Sequence, residues 1–236
     1  MIYLFISDLH LSPKHPRLIR GFLDLLAEYQ HKNTQLYILG DWFNTWIGDD
    51  HTAPWLVEIV EHLKNFTQAG NQVYFLVGNR DFALTQQFLQ QFQGQILPEI
   101  TYLTINNKKY RLEHGDLLCT DDVKYQKFRK IIRNPILLNI LRKTPLKFRE
   151  KLATGFQKQS HQAKKTKSYA IMDVNQNAVD AALSTCDVLI HGHTHRPMLH
   201  TEKNAKQRIV LGDWRENTAQ IVEISDQQTL FKTWTY

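Results

Sequence analysis

The chain is poor in cysteine, and it has no apolar run long enough to cross a membrane. Only Cys119 and Cys186 occur among its 236 residues, which excludes a disulfide-rich secreted scaffold and favours two reduced thiols. A spanning helix needs about 20 apolar residues, whereas the apolar start of the chain ends at Ser7. That start also lacks a basic region, so it predicts a first strand rather than a signal peptide. We therefore expect a soluble or peripheral protein.

Charge is unevenly distributed along the chain. The net charge is +6, yet the segment from Lys124 to Lys167 contains 14 Lys and Arg and only one acid, Glu150. Apolar residues such as Ile136 and Leu141 interleave with these bases at helical spacing. This combination is typical of a surface that binds an anionic membrane, although a solvated basic face is the alternative. Few aromatic residues are available for base stacking, so we expect no nucleic-acid partner.

Hydrophobic periodicity predicts strands that alternate with helices in the first half of the chain. Strands are predicted over 2–6, 35–39, 72–77, 101–105, 109–114 and 187–191. Helices are predicted over 17–30, 55–69, 85–92, 121–160 with breaks at Pro135 and Pro145, and 168–184. Four further runs, 198–201, 208–212, 219–224 and 229–234, are spaced like a closing meander. The pattern predicts an α/β fold with two packed sheets and flanking helices.

Polar side chains of metal-ligand type follow five of the apolar runs. They are Asp8 and His10 in ISDLHL, Asp41 in YILGDWF, Asn79 in LVGNRD, His114 in LEHGD, and His193 and His195 in LIHGHTHRP. Open α/β sheets bind ligands at the carboxyl ends of their strands. Carboxylate, amide and imidazole together suit two divalent metals that share a bridging carboxylate. The alternative is a set of buried polar residues satisfied by hydrogen bonds.

At these residues the chain resembles the calcineurin-like metallophosphoesterases, whose motifs are DxH, GD, GN[HR][DE], H and GHxH. The resemblance implies one domain over 1–236, a four-layer αββα sandwich, with 121–167 inserted as a helical lid. It also implies that Asp41 bridges two metals. Asp8, His10 and His195 complete one site, and Asn79, His114 and His193 complete the other. Manganese fits this donor set, with zinc and iron as alternatives.

The segments WIGDD (46–50), GNRDF (78–82), HGDLLCTDDVKYQ (114–126) and AIMDVNQNAV (170–179) are similar to one branch of that family. The branch hydrolyses the diphosphate of a UDP-linked diacylglucosamine in lipid A synthesis. The resemblance implies a cytoplasmic enzyme, peripheral on the inner membrane, with catalysis by Asp41, Asn79, Arg80 and His114. It implies substrate contacts from Asn79, Arg80, Asp122, Ser160, Lys164, Lys167 and His193. Lys164 stands where relatives have Asn, and the roles of Asp49, Asp50 and Tyr125 stay open.

Arg80 departs from the commonest pattern of the wider family, in which a His follows the GN. That His is credited with protonating an alkoxide leaving group. A phosphate monoester that leaves from a diphosphate has a pKa of about 6, so it needs little protonation at neutral pH. An Arg that binds the charge through two donors is then more useful, so Arg80 favours diphosphate cleavage over monoester hydrolysis. A surface Arg is the alternative.

Two other functions remain open on the sequence alone. One is a soluble nucleotide pyrophosphatase or phosphodiesterase on the same fold, although a soluble substrate would give no use for the basic and apolar insertion. The other is a non-catalytic scaffold, although a scaffold need not retain seven metal-type ligands.

Overall fold

A computed structural model of the chain describes residues 1–166, 171 and 173–236, with only the backbone described over 157–166. One sheet contains β1 (Ile2–Ile6), β2 (Thr34–Ile38), β3 (Gln72–Phe75), β4 (Gln95–Ile96), β10 (Thr218–Ile224) and β11 (Thr229–Thr235). Its strand order is β11-β10-β1-β2-β3-β4. The other sheet contains β5 (Thr101–Ile105), β6 (Lys108–Leu112), β7 (Val188–His191), β8 (Met198–Thr201) and β9 (Gln207–Val210). Its order is β5-β6-β7-β9-β8.

Helices cover the outer faces of both sheets and fill one long segment between β6 and β7. They are α1 (Pro16–Tyr29), α2 (Pro54–Gln68), α3 (Gln86–Leu89), α4 (Val123–Ile132), α5 (Pro135–Arg142), α6 (Leu146–Thr166) and α7 (Gln176–Leu183). Proline occupies the first turn of α1, α2 and α5, where its missing N–H is not needed.

The four layers follow from which residues each strand buries on its two faces. In β1, Leu4 and Ile6 pack against the helices α1 and α2, while Phe5 packs against the second sheet. A strand buried on both faces needs a continuous apolar run rather than alternation. The helix α7 packs on the far face of the second sheet through Val179 and Leu183. The predicted αββα sandwich is therefore confirmed.

Two predictions from the sequence are wrong. Within the described part of the range predicted as a helix over 168–184, the helix begins at Gln176, because the side chain of Asn175 caps it by accepting from the backbone N–H groups of Asn177 and Ala178. Residues 168–170 and 172 of that prediction lie outside the described residues. The closing meander is instead two hairpins in different sheets: β8 pairs with β9, and β10 pairs with β11 and β1. Spacing along the chain cannot distinguish these pairings, since both need only short antiparallel connections.

The segment after β6 has the predicted breaks at its two prolines. Asn134 caps α5 by accepting from the N–H groups of Ile136 and Leu137, and Pro135 takes the first helical position. Helices α4, α5 and α6 are therefore three separate elements, which we call the insertion (Val123–Thr166). Within the part of the chain that the structure describes, none of the helices combines the length and apolar character that a bilayer crossing requires.

Candidate active site

The loops that carry the predicted ligands emerge at one edge of the sandwich. In the first sheet β1, β2 and β3 are parallel neighbours, and in the second sheet β6 and β7 are parallel neighbours. The carboxyl ends of all five strands therefore lie where the two sheets meet. Contacts join the loops of the two sheets: the His193 N–H donates to Asp8 Oδ2, and His114 Nδ1 lies 2.9 Å from the Leu39 carbonyl oxygen.

The backbone is left-handed at five of the seven predicted ligands. The φ angles are 56° at Asp8, 50° at His10, 52° at Asp41, 69° at His193 and 56° at His195. Positive φ is uncommon outside glycine, although Asp and His tolerate it better than most residues. Such conformations cost about 1–3 kcal/mol each and persist where the surrounding structure holds them, often at functional sites. Their concentration in these loops marks this edge as the functional one.

Glycine is required where these loops approach each other. A Cβ at Gly192 would lie 2.0 Å from Ser7 Oγ and 2.2 Å from Asp8 Oδ2. A Cβ at Gly78 would lie 2.2 Å from Asp41 Oδ1. The glycines of the GHTH and GNRD motifs thus let the backbone pass against the carboxylates.

One group of ligand atoms is formed by Asp8, His10, Asp41 and His195. Asp8 Oδ1 lies 3.2 Å from His195 Nε2, and His195 Nε2 lies 3.4 Å from His10 Nε2. His10 Nδ1 lies 3.9 Å from Asp41 Oδ2. Among the described residues, His10 Nδ1 has no hydrogen-bond partner, although this atom is buried. Asp8, His10 and His195 could together hold a metal ion.

A second group is formed by His114, His193, Asn79 and Asp41. His114 Nδ1 lies 2.9 Å from the Leu39 carbonyl oxygen, which places the proton of a neutral ring on Nδ1. The lone pair of Nε2 then faces Asn79 Oδ1 at 3.0 Å, while His193 Nδ1 lies 2.9 Å from the same oxygen. His114 Nε2 and His193 Nδ1 lie 3.2 Å apart, so the three donor atoms converge on one point. The donor set therefore fits a metal ion.

The electrostatics of the pocket also favour positive charge. Burial lowers the pKa of His114, but the carboxylates of Asp41 and Asp8 outweigh it and raise the pKa. The neighbouring His193 has its pKa lowered to about 4 by burial and by His114, so that ring is neutral near pH 7 and able to act as a ligand. Buried carboxylates next to neutral imidazoles are the surroundings in which divalent metals bind.

Asp81 is a structural support that the sequence interpretation missed. Its carboxylate accepts from the N–H groups of Gly78 and Trp42, each at 2.7 Å, and so ties two ligand loops together. Burial and the charge of Asp41 raise its pKa to about 7. The acidic residue that ends the GNRD motif is the feature of the sequence that could have indicated this support. Asp213 is a second omission: its Oδ2 lies 3.8 Å from His195 Nδ1, on the side of the ring that faces away from Asp8.

The predicted substrate residues lie beside these loops to differing extents. Arg80 is half-buried, its backbone N–H donates to Asp41 Oδ1 at 2.8 Å, and it makes no ion pair within the described part of the chain. Asp122 caps α4 by accepting from the Tyr125 N–H. Ser160 and Lys164 lie on α6, where only the backbone is described, and Lys167 lies outside the described residues.

The two acids of the WIGDD segment have structural partners. Asp49 accepts from Trp46 Nε1 at 2.9 Å and from Thr85 Oγ1 at 2.5 Å, and it caps the turn before α3. Asp50 forms an ion pair with Arg149 of the insertion. These contacts make Asp49 and Asp50 supports of the loop, which resolves what the sequence left open.

Basic residues of the insertion divide by type. Arg129 and Arg149 are buried, and Arg133 and Arg142 are half-buried with partners in the sandwich. The exposed bases of the described side chains are lysines: Lys124, Lys127, Lys130, Lys143, Lys147 and Lys151. These four arginines bind the protein itself through their guanidinium groups, so the lysines are the bases of the described insertion that are left to face an anionic surface.

Comparisons with known proteins agree with this geometry. The family model described as calcineurin-like phosphoesterase matches residues 1–197. The chain is 41% identical to UDP-2,3-diacylglucosamine hydrolase of Haemophilus influenzae (strain PittGG), with 94% of each chain covered. It is 41% identical to the protein of that name from Escherichia coli O7:K1, with 98% of each covered. Among solved structures it is similar to a dimetal phosphatase from Danio rerio, with a TM-score of 0.54 at 12% identity over 99% of this chain and 95% of the other.

Proposed function

Because the chain belongs to the calcineurin-like phosphoesterase family, and within it to the UDP-2,3-diacylglucosamine hydrolases, we propose that it cleaves the diphosphate of UDP-2,3-diacylglucosamine. The products are UMP and 2,3-diacylglucosamine 1-phosphate, and the reaction belongs to lipid A synthesis. One observation carries the choice of substrate: the likeness to these relatives covers 94–98% of the chain, so it includes the insertion as well as the ligand loops.

The metal centre uses the two groups of ligand atoms described above. Asp8, His10, Asp41 and His195 hold one ion, and Asp41, Asn79, His114 and His193 hold the other. Two divalent ions bound there would lower the pKa of a water molecule and polarise a phosphoryl oxygen. Manganese is the ion that we propose, because oxygen donors and imidazoles are mixed in each set.

Arg80 binds the diphosphate and stabilises the charge that develops on the leaving phosphate. Its backbone N–H is already held by Asp41 Oδ1, which fixes the start of the side chain next to the metal centre. Guanidinium offers two parallel donors to a phosphate. The sugar 1-phosphate therefore leaves without needing a proton from the protein.

The insertion acts as a lid that brings the enzyme to its lipid substrate on the cytoplasmic face of the inner membrane. Its surface exposes Ile136 (71%), Ile140 (58%) and Phe148 (50%) beside the exposed Lys143, Lys147 and Lys151. Apolar side chains that accompany lysines on one surface suit the interface of an anionic bilayer. Asp122, Ser160, Lys164 and Lys167 contact the substrate head group in this proposal.

Release of UMP from UDP-2,3-diacylglucosamine tests the function. We expect manganese-dependent release by the wild type and loss of at least about 100-fold in Asp41→Ala and His114→Ala, because each variant removes a ligand. Matched controls are Asp226→Ala and His31→Ala, which change the same residue types at exposed positions. Metal content should fall with activity in the first pair only.

Substrate controls separate the competing functions. CDP-diacylglycerol and dinucleoside polyphosphates should be poor substrates. Preferred turnover of a dinucleoside polyphosphate would instead favour a soluble pyrophosphatase, and metal binding without hydrolysis of any of these compounds would favour a scaffold. Near wild-type turnover by metal-depleted Asp41→Ala would contradict the two-metal site.

A further inference from the structure

We propose that Arg129 of α4 and Arg133, which directly follows that helix, are positioning residues that hold the loops of Asn79 and His114 in place for metal binding. The first helix of the insertion is thereby part of the framework of the metal centre and not only a cover over it. This inference rests on the proposed metal site, and it assigns the insertion a second role that neither charge nor apolar character predicts.

The contact on the His114 side is a single buried carboxylate oxygen. Asp116 Oδ2 accepts from Tyr125 Oη at 2.7 Å, from Arg129 Nε at 2.8 Å and from Arg133 Nη2 at 2.9 Å. Asp116 is 1% exposed and lies two residues after His114. Three donors from one face of α4 therefore fix the turn that directs the His114 ring.

The contact on the Asn79 side is made by the same guanidinium group. Arg133 Nη2 donates to the Gly78 carbonyl at 2.9 Å, one residue before Asn79. The Gly78 N–H is held on the other side by Asp81. The peptide groups that flank Gly78 are thus fixed from both directions, and the position of the Asn79 amide follows from them.

The positive charges of Arg129 and Arg133 are balanced by two carboxylates, so this four-residue ionic unit can be largely buried. Glu99 forms ion pairs with both Arg129 and Arg133, and Asp116 supplies the second negative charge. Removing one partner of such a unit leaves an uncompensated buried charge, which is far more costly than losing an exposed pair.

A third ligand is also in contact with α4. The Tyr125 ring stacks on the His193 ring, with centroids 6.1 Å apart and an interplanar angle of 27°. Since the Tyr125 hydroxyl is held by Asp116, the orientation of that ring depends on the same carboxylate. The one helix face therefore contacts the loops or rings of Asn79, His114 and His193, all of which belong to one metal site in the proposed assignment.

If α4 holds these ligands, then metal binding and docking of α4 stabilise each other, because coupling between two sites is reciprocal. Groups that orient metal ligands typically contribute 10–100-fold in metal affinity. Lysine cannot replace Arg133 fully, since it has one nitrogen where Arg133 uses two to reach Asp116, Glu99 and the Gly78 carbonyl.

Titration of the full-length, metal-free protein with Mn²⁺ alone tests the inference. We expect Arg133→Gln to weaken binding of one of the two ions about 10–100-fold and Arg133→Lys to weaken it by an intermediate factor. Lys130→Gln is the matched control, with the same loss of charge at an exposed position of the same helix, and should bind as wild type does. Excess Mn²⁺ should restore turnover in Arg133→Lys.

Hydrogen exchange gives a readout that is independent of activity and decides the matter if Arg133→Gln does not fold. In the wild type, Mn²⁺ should slow exchange of the α4 amides more than that of the α7 amides, and Arg133→Lys should reduce this difference. Binding by Arg133→Lys within twofold of wild type, with unchanged protection of α4, would overturn the positioning role and leave the metal centre intact. Failure of the wild type to bind Mn²⁺, Zn²⁺ or Fe²⁺ would overturn the metal centre itself.

Discussion

Arg80 is the side chain whose identity bears most directly on the bond that is cleaved. It lies beside Asp41, to which its backbone N–H donates, yet its guanidinium makes no ion pair within the described residues. A free guanidinium at the rim of a metal site attracts phosphate. A histidine there would instead donate a proton, which an alkoxide needs and a phosphate leaving group does not.

Replacing Arg80 by His should therefore affect two substrates differently. We expect Arg80→His to lower kcat/KM for the diphosphate about 10–100-fold, the range of one lost hydrogen bond to a charged group. An aryl phosphodiester with an activated phenol leaving group should be affected much less. Arg20→His, an exposed Arg of α1, is the control. Equal losses on both substrates would show that Arg80 does not act on the diphosphate.

The sequence motifs named residues that the structure places close together, but their backbone conformations and supports were not predictable from them. Motif order identifies Asp8, His10 and Asp41 because metal chemistry restricts the side-chain types. The left-handed φ angles at these residues depend on contacts between loops that are distant in sequence. Asp116 and Arg133 were missed for the same reason, since an acid and a base 17 positions apart carry no local signal that they pair.

At the scale of elements, the basic residues of the insertion divide by type into buried or half-buried arginines and exposed lysines. Its arginines reach inward: Arg149 binds Asp50 and the Ile47 carbonyl, and Arg142 donates to the Ala83 carbonyl. Its exposed lysines share the surface with exposed apolar side chains. Planar guanidinium groups can satisfy several acceptors at once, whereas ammonium groups stay hydrated. Mutation of the lysines should therefore weaken the proposed attraction to a membrane without loosening the arginine contacts that hold the insertion on the rest of the protein.

Replacing Lys143, Lys147 and Lys151 together by Gln should weaken binding to anionic vesicles about 100-fold at low salt, because each lysine near an anionic surface contributes about 1 kcal/mol. The control replaces the exposed Lys32, Lys64 and Lys108, which lie outside the insertion. Vesicle sedimentation measures the effect, and wild-type binding should weaken as salt screens the charges.

Turnover of a short-chain, micelle-free substrate should stay unchanged in the same variant, since the anchoring arginines are intact. Equal sedimentation with neutral and anionic vesicles, together with wild-type behaviour of the triple variant, would make the lysines a solvated face. The membrane part of the proposed function would then fail.

Elements with strong periodicity were predicted well, and those defined by capping or pairing were not. The apolar positions Leu18, Phe22, Leu25, Leu26 and Tyr29 of α1 are all buried as the 3.6-residue spacing requires. The start of α7 depends instead on one capping side chain, Asn175. The assignment of β8 and β9 to one sheet and β10 and β11 to the other depends on tertiary contacts, which strand spacing does not encode.

At the scale of the whole molecule, the proposed site depends on three parts of the chain that meet. The first sheet supplies Asp8, Asp41 and Asn79, the second supplies His114, His193 and His195, and α4 of the insertion packs against both sets of loops through Asp116 and Gly78. A frame of this kind would hold the proposed ligands in place before substrate arrives, which is the condition for electrostatic stabilisation of the transition state.

Hydrolysis in water enriched in ¹⁸O tests the central claim most directly, because it identifies the phosphorus atom that is attacked. Attack on the α-phosphorus places the label in UMP, with 2,3-diacylglucosamine 1-phosphate leaving unlabelled, and the reaction should stop when metal is removed. Mass spectrometry of the two products measures this. We expect the label in UMP alone, and label in the lipid 1-phosphate, or undiminished hydrolysis by the metal-depleted protein, would contradict the account.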